Sequence, residues 1–193
     1  MTDIHSKSHP IAIGIEDLGV LERLKHITTF ILDVDGVLTN GTVIATENGE
    51  LLRSFNIKDG YALQAAAKKG YHICIISGGK GIAMSKRFEN LGIADVFLSV
   101  DNKVEIFNNY IQQKGIKPHQ VLYMGDDIPD AAVMKLVGIA SCPNDAVEEI
   151  KAISHYISSK KGGETAVRDV IEKVLKAQQQ WYGNTPSAAE ASK

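Results

Sequence analysis

Short apolar segments alternate with amphipathic helical segments along most of this chain, and no other feature restricts its fold as strongly. Strands connected through helices run parallel, and the helices then cover both faces of the sheet. The pattern therefore predicts a three-layer, doubly wound α/β fold with a parallel sheet. The predicted strands are 28–32, 72–76, 96–98, 121–124, 139–142 and 155–158, and the predicted helices are 59–69, 82–91, 103–114, 131–136, 146–152 and 163–180.

A β-hairpin is predicted between the first strand and the first of these helices. Residues 42–46 and 51–55 flank Asn48-Gly49, a dipeptide that favours a tight hairpin turn. We therefore expect a hairpin flap over about residues 41–55.

The chain of 193 residues has the length of one domain, because domains typically span roughly 100–200 residues. We expect this domain to cover residues 27–180. Apolar residues recur at every third position from Ile15 to Leu24, so residues 1–26 are expected to form an N-terminal helical extension. Residues 181–193 are rich in Ala, Ser, Asn and Pro and are expected to form a flexible tail.

Charge and composition argue against several function classes. Lys and Arg number 21 against 23 Asp and Glu, and no basic block is present, so binding to nucleic acid is not expected. No apolar run approaches the roughly 20 residues of a membrane span, so a membrane partner is not expected either. Cys74 and Cys142 lie in apolar runs and are expected to be buried free thiols. A cytoplasmic location is the resulting expectation.

Polar side chains follow several of the predicted strands. Asp33 and Asp35 follow the first strand, Ser77 follows the second, Asp126 follows the fourth, and Lys103 begins the helix after the third. The carboxyl ends of parallel strands form the ligand site of such a sheet, so we expect these side chains to meet. Neighbouring carboxylates repel one another unless a cation neutralises them. An all-oxygen ligand set beside a phosphate favours Mg²⁺.

The same cluster contains the groups that phosphoryl transfer requires. A carboxylate can attack phosphorus and form an aspartyl-phosphate. The Ser77 hydroxyl, the backbone N–H groups around Gly78 at a helix start and the Lys103 ammonium can bind phosphoryl oxygens. Each feature alone has an ordinary interpretation: Asp-x-Asp-Gly as a turn, Ser77 as a helix N-cap, Lys103 as a solvated charge. Their occurrence in order, at successive strand ends, favours the functional interpretation.

These motifs resemble those of the haloacid dehalogenase superfamily of phosphotransferases. The four family motifs are matched in order by Asp33-x-Asp35, Ser77, Lys103 and Gly125-Asp126-Asp127-x-x-Asp130. Within the family, the chain more closely resembles phosphatases of 3-deoxy-D-manno-octulosonate 8-phosphate, the phosphate of an eight-carbon keto sugar acid of lipopolysaccharide biosynthesis. The segments that carry this likeness are LDVDGVLTNG, FNIKDGYAL, SVDNK, YMGDDIPDAAVM and KKGGETAVRDV.

The resemblance implies a role for each carboxylate and a small-molecule sugar phosphate as substrate. Asp33 would be the nucleophile, and Asp35 would protonate the leaving sugar oxygen and then activate water. The Asp33 and Asp126 carboxylates and the main-chain oxygen of Asp35 would bind Mg²⁺. Asp130 would orient that loop from behind the ligands, and Asp127 is a further candidate for the same role.

The phosphate and sugar contacts follow from the same resemblance. Ser77 and Lys103 would bind the transferring phosphoryl group. The remaining candidates for substrate contacts are Thr39, Gly78, Lys80 and Arg87. An arginine suits a sugar carboxylate, although Lys80 and Arg87 could also be ordinary solvated charges. Gly162, Gly163 and Arg168 match a glycine-rich segment that, in relatives, lies near the active site of a neighbouring subunit.

The motif spacing leaves no room for a cap domain, which many family members insert after the first or second motif. Ser77 follows Asp33 by 44 positions, and Lys103 follows Ser77 by 26. Capless relatives form tetramers, so the resemblance implies a homotetramer whose hairpins pack together. The apolar hairpin residues that support this are Val43, Ile44, Leu51, Leu52 and Phe55.

Two alternatives remain at this point. Octulosonate-type members commonly carry Arg directly after Ser/Thr-Gly, and relatives acting on nine-carbon keto-sugar-acid 9-phosphates tend to carry Glu there. This chain has Gly79, so a nine-carbon sugar phosphatase is one alternative. The other is a receiver-type signalling domain, which also uses Asp, Mg²⁺, Ser or Thr, and Lys on an α/β sheet, but with its acidic residues in a different order.

Overall fold

A computed structural model describes residues 19–182 and contains two sheets. The strands are β1 (Thr29–Leu32), β2 (Ile44–Ala45), β3 (Leu51–Leu52), β4 (His72–Ile76), β5 (Asp95–Phe97), β6 (Val121–Met124), β7 (Ile139–Cys142) and β8 (Tyr156–Ile157). The helices are α1 (Val20–Leu24), α2 (Ile57–Lys68), α3 (Ile82–Asn90), α4 (Lys103–Lys114), α5 (Ala131–Met134), α6 (Glu148–Ile153) and α7 (Ala166–Ala177). The main sheet is parallel throughout, in the order β5-β4-β1-β6-β7-β8.

The main sheet carries a hydrophobic core on each face, because successive strand side chains point to opposite sides. Phe30 and Leu32 of β1 face a core formed with α1, α2, α3 and α7, whereas Ile31 faces a core formed with α4, α5 and α6. This confirms the predicted three-layer, doubly wound fold. Cys74 and Cys142 are buried free thiols in the second core, as predicted.

The strands of the main sheet match the prediction more closely than the helices do. The last helix begins at Ala166 rather than at Gly163, because Gly163 and Thr165 have φ angles of 67° and 78°, which an α-helix cannot contain. The helix predicted over 131–136 ends at Met134 and follows a 3₁₀ turn over Ile128–Asp130. Of the predicted N-terminal extension, α1 is described, whereas residues 1–18 lie outside the described residues, as does the tail from 183 onward.

Two connections that begin at the carboxyl edge of the main sheet carry one hairpin and two helices. Between β1 and β4 the chain forms the β2–β3 hairpin and α2, and between β4 and β5 it forms α3. Each hairpin strand has only two residues, with the turn at Gly49 in the left-handed region (φ 79°). Among residues 19–182, no helix combines the length and the hydropathy that a membrane span requires.

Candidate active site

A cavity of about 550 Å³ opens at the carboxyl edge of the main sheet. The adjacent strands β4, β1 and β6 end there, so side chains far apart in the sequence converge. The residues that form its walls are Asp33, Asp35, Gly41, Ser77, Gly78, Gly79, Val100, Asp101, Lys103, Asp126, Asp127, Pro129 and Asp130.

Three carboxylates form the acidic centre of this cavity. Asp33, Asp126 and Asp130 each present an oxygen within 4.8 Å of the others. The Asp130 carboxylate is already occupied: Oδ1 accepts hydrogen bonds from Tyr123 (2.6 Å) and Lys103 (2.7 Å), and Oδ2 accepts one from the Asp126 N–H (3.1 Å). Asp33 and Asp126 are therefore the two carboxylates available to bind a cation, and Asp130 supports them from behind.

The electrostatics of this centre suit a divalent cation. Burial and the nearby Asp130 charge raise the pKa of Asp33 to about 6, although Lys103 partly opposes the shift. Burial and the neighbouring carboxylates raise the pKa of Asp126 to about 8. Oδ1 of Asp33 is buried and is paired with the Lys103 ammonium at 3.2 Å, although it accepts no hydrogen bond of good geometry from the described residues. The carboxylate oxygens of Asp33 and Asp126 fit a hard ion such as Mg²⁺, which favours carboxylate ligands beside a phosphate.

Lys103 supplies the positive charge of the cavity. It is the first residue of α4, a helix whose N-cap, Asn102, accepts a hydrogen bond from the Glu105 N–H (3.2 Å). The Lys103 side chain is only 7% exposed, and its Nζ lies 3.2 Å from Oδ1 of Asp33. Burial disfavours its charge, but the two adjacent carboxylates outweigh burial and raise the pKa of Lys103 above its ordinary value. Its interpretation as a solvated helix residue is therefore wrong.

Ser77 lies at the end of β4 with its hydroxyl at the cavity wall. The side chain is buried, and Oγ accepts a hydrogen bond from the Gly79 N–H at 3.1 Å. The next helix begins at Ile82, as predicted, so Ser77 is not its N-cap, and the backbone N–H groups around Gly78 lie in the loop before the helix. The hydroxyl remains able to donate a hydrogen bond into the cavity. Gly78 and Gly79, in the loop after Ser77, also line the cavity.

The comparison with known proteins points to one family. A model of haloacid dehalogenase-like hydrolases matches residues 53–138. The 3-deoxy-D-manno-octulosonate 8-phosphate phosphatase KdsC of Salmonella typhi is 35% identical over 159 residues, which are 82% of this chain and 85% of that protein. The chain belongs to the haloacid dehalogenase superfamily. It is a phosphoric monoester hydrolase, and a receiver-type signalling domain is no longer an alternative.

Solved structures of haloacid dehalogenase superfamily members agree with this assignment. The 3-deoxy-D-manno-octulosonate 8-phosphate phosphatase of Yersinia pestis matches with a TM-score of 0.83 and 32% identity, covering 85% of this chain and 89% of that one. The enzyme from Moraxella catarrhalis matches with a TM-score of 0.81 and 34% identity, covering 83% and 92%. That structure holds a magnesium ion, a phosphate ion and a KDO molecule.

Most of the motif residues recognised from the superfamily pattern lie in the cavity, but three predicted substrate contacts do not. Thr39 is fully buried, and its hydroxyl donates to the Val34 carbonyl oxygen (3.3 Å) and accepts from the Gly36 N–H (3.3 Å), so it shapes the loop instead. Arg87 packs its guanidinium against Gly60 in the first turn of α2. Lys80 is exposed and precedes α3 rather than lying on it.

The glycine-rich segment of the superfamily pattern packs on the Asp33–Thr39 loop of its own chain. Gly163 donates a hydrogen bond to the Val37 carbonyl oxygen (3.0 Å), and a Cβ atom at Gly162 would overlap the carbonyl oxygen of Gly36. This segment therefore braces the loop that bears Asp33 from within the same subunit. Arg168, matched with it in the sequence, forms an ion pair with Glu172 (2.6 Å) rather than lining the cavity.

Arg53 and Tyr123 bond to carboxylates of this site and were not predicted from the superfamily motifs. Arg53, at the base of the hairpin, donates hydrogen bonds from Nε and Nη2 to the two carboxylate oxygens of Asp35, at 2.6 and 2.9 Å. Tyr123 is fully buried in β6 and donates to Asp130. For Tyr123 the available signal was its polar hydroxyl within an otherwise apolar strand, since a buried hydroxyl needs a partner.

Proposed function

We propose that this enzyme is a Mg²⁺-dependent phosphatase that hydrolyses 3-deoxy-D-manno-octulosonate 8-phosphate to 3-deoxy-D-manno-octulosonate and phosphate, in lipopolysaccharide sugar biosynthesis. The observation that carries the proposal is the convergence of Asp33, Asp126 and Lys103 in one cavity at the strand ends. The substrate is inferred from the relatives, several of which bear this activity in their names.

In the proposed mechanism, the Asp33 carboxylate attacks phosphorus and forms an aspartyl-phosphate. Asp35 protonates the departing sugar oxygen and then removes a proton from the water that hydrolyses the intermediate. Lys103 and Ser77 hold the phosphoryl oxygens, where the buried ammonium offsets the charge that develops. Bound Mg²⁺, held by Asp33, Asp126 and the main-chain oxygen of Asp35, would further neutralise the phosphoryl charge.

Asp127 and Asp130 have different parts in this proposal. Asp130 accepts hydrogen bonds from Lys103 and from the Asp126 N–H. It therefore fixes both the lysine that binds the phosphoryl oxygens and the metal-binding loop. Asp127 is the N-cap of the following 3₁₀ turn, where its side chain accepts a hydrogen bond from the Ile128 N–H at 2.7 Å. Asp127 therefore shapes the loop, and its carboxylate is engaged with its own backbone.

The proposed enzyme acts as a homotetramer whose subunits meet at their hairpins. Val43, Ile44, Leu51 and Leu52 are 43–65% exposed, so the part of the chain that the structure describes leaves this apolar hairpin uncovered. Phe55, expected in the same set, instead packs edge-on against Phe88 at 5.9 Å. A cytoplasmic location also belongs to the proposal, since two buried free thiols suit a reducing compartment.

A phosphate-release assay over a panel of sugar phosphates with Mg²⁺ tests the function. Activity should be highest on the eight-carbon 8-phosphate and nearly absent in Asp33→Asn, which lacks the nucleophile. Glu164→Gln removes an exposed carboxylate outside the cavity and serves as the matched control. Retained activity in Asp33→Asn would refute the mechanism.

The same assay separates the two sugar substrates. Gly79 matches neither the Arg of octulosonate-type members nor the Glu of nine-carbon relatives, so the nine-carbon substrate stays an alternative. A much higher kcat/KM on a nine-carbon keto-sugar-acid 9-phosphate would replace the eight-carbon substrate while leaving the chemistry unchanged.

A further inference from the structure

The carboxylate of Asp35 is held from outside the superfamily motifs. Nε and Nη2 of Arg53 bond its two oxygens in the parallel, bidentate geometry that makes guanidinium–carboxylate pairs strong and directional. The guanidinium also donates from Nη1 to the Leu51 carbonyl oxygen at 3.1 Å, which ties it to the hairpin. Its position therefore depends on the base of the hairpin as well as on Asp35.

This pair differs from an ordinary surface ion pair. The Arg53 side chain is only 6% exposed, whereas that of Asp35, which lines the cavity, is 35% exposed. The arginine thus lies behind the carboxylate, and the carboxylate faces the space that a substrate would enter. An exposed ion pair would contribute little to stability, whereas a desolvated arginine that binds both oxygens fixes the plane of the carboxylate.

Gly79, which lines the cavity beside Asp35 and Arg53, leaves room for this pair. A Cβ atom at Gly79 would lie 3.0 Å from Oδ2 of Asp35 and 3.3 Å from Nη2 of Arg53. Contacts this short would force one of the two groups to move. Gly79 does not have a left-handed φ, so the glycine provides space here rather than a special backbone conformation.

We propose that Arg53 is a positioning residue that holds the Asp35 carboxylate in the orientation for proton transfer, and that the absence of a side chain at Gly79 leaves this pair undisturbed. The inference rests on the proposed function, since it gives Asp35 the role of acid and then base. It adds that the hairpin determines the geometry of proton transfer through one side chain.

Leaving-group dependence distinguishes this role from a structural one. p-Nitrophenolate departs readily without a proton, whereas a sugar alkoxide does not. In Arg53→Gln, kcat for the sugar phosphate should fall by about 100-fold or more, with KM within about 3-fold of wild type. With p-nitrophenyl phosphate, release in the first turnover should be nearly unchanged, while later turnovers slow because hydrolysis of the aspartyl-phosphate still needs Asp35.

Two further variants complete the test. Arg53→Lys keeps the charge but cannot bind both oxygens, so its kcat should lie between wild type and Arg53→Gln. Gly79→Ala removes no charge and should give the same leaving-group pattern in weaker form. Glu50→Gln, an exposed change on the same hairpin, should leave both substrates unaffected. Crystal structures should show one Asp35 rotamer in the wild type and more than one in Arg53→Gln.

Several outcomes would overturn the inference. Unchanged sugar-phosphate turnover in Arg53→Gln would do so, as would an equal loss of first-turnover p-nitrophenolate release, which indicates general damage. A KM increase with unchanged kcat would make Arg53 a substrate contact instead. The p-nitrophenyl phosphate experiment needs no sugar, so it tests Arg53 even if the proposed sugar substrate is wrong.

Discussion

The hydroxyl of Tyr123 lies 2.6 Å from Oδ1 of Asp130, at a point where both side chains are buried. The same carboxylate binds Lys103 and the backbone of Asp126. The tyrosine is therefore linked, through Asp130 alone, to the lysine proposed to bind phosphate and to the proposed metal-binding loop. A residue of the sheet interior thus helps to fix the geometry of the active site.

Tyr123→Phe should lower the free energy of unfolding by about 1.5–3 kcal/mol, the usual value of a hydrogen bond to a charged group. Urea denaturation measures this change. Tyr110→Phe is the matched control, because Tyr110 also donates to a carboxylate, Asp95 (3.1 Å), which keeps an ion pair with Lys114 (3.0 Å) and is partly exposed. If both variants lose the same stability, the buried position of Asp130 does not set the effect.

Mg²⁺ should raise the melting temperature of the protein, since it would bind the folded acidic centre and relieve repulsion between Asp33 and Asp126. At a concentration of about 100 times Kd, the gain should be about 2.7 kcal/mol, or roughly 5–10 °C for a chain of this size. Thermal unfolding with Mg²⁺ and with EDTA measures it. In Asp126→Asn the shift should shrink to a small fraction, and a full shift there would place the ion elsewhere.

The stability of the protein should depend on pH through Asp59. This buried residue of α2 accepts a hydrogen bond from the Arg168 N–H (2.7 Å) at the start of α7, while Oδ2 accepts none from the described residues. Burial raises the pKa of Asp59 from 3.8 to about 6, although the hydrogen bonds that it accepts from backbone N–H groups lower the pKa in part. The folded protein therefore binds this proton more tightly than the unfolded chain does. The stabilisation is complete below about pH 4 and is lost as the pH rises through 6.

Asp59→Asn keeps the acceptor oxygen and removes the ionisation. The free energy of unfolding of Asp59→Asn minus that of wild type should rise by about 3 kcal/mol between about pH 4 and pH 6 and then level off. This change follows from the pKa shift at about 1.4 kcal/mol per pKa unit. Urea denaturation over this pH range tests the expectation by difference, so that the other carboxylates cancel. A stability difference that does not change with pH would contradict it.

The apolar hairpin predicts how the subunits assemble. Ile44 and Leu52 are register partners in the two strands and are 65% and 44% exposed. Replacing both with Asp should convert a tetramer into smaller species while the circular dichroism spectrum is retained, because a buried charge disfavours an apolar interface. Light scattering gives the mass. Leu21→Asp, equally polar but on α1, should leave the assembly intact, and a monomeric wild type would remove the proposal.

The sequence was sufficient for the elements whose structure depends on burial alone. Every residue of β1, β6 and β7 is buried, so these strands are continuous apolar runs with clear ends. The parallel order then forces Asp33, Ser77 and Asp126 to one edge, which is why the acidic centre could be predicted before its geometry was known.

The contacts that the sequence did not reveal depend on tertiary packing. Arg53 pairs with a carboxylate 18 positions away, and Asp59 accepts a bond from α7, 109 positions later. Nothing in the local pattern distinguishes either residue from a solvated charge. The same holds for Thr39, because only the folded loop shows that its hydroxyl is bonded internally.

The position of Gly162 also determines when the loop that bears Asp33 can be braced during synthesis. A nascent chain that has emerged through Asp130 already carries every carboxylate of the proposed site. Its Asp33–Thr39 loop still lacks the support of Gly162 and Gly163, which are more than 30 residues further along. The ribosome must therefore release almost the whole described domain before this support can form, and a chain stalled before Gly162 would carry these carboxylates on a loop without its brace.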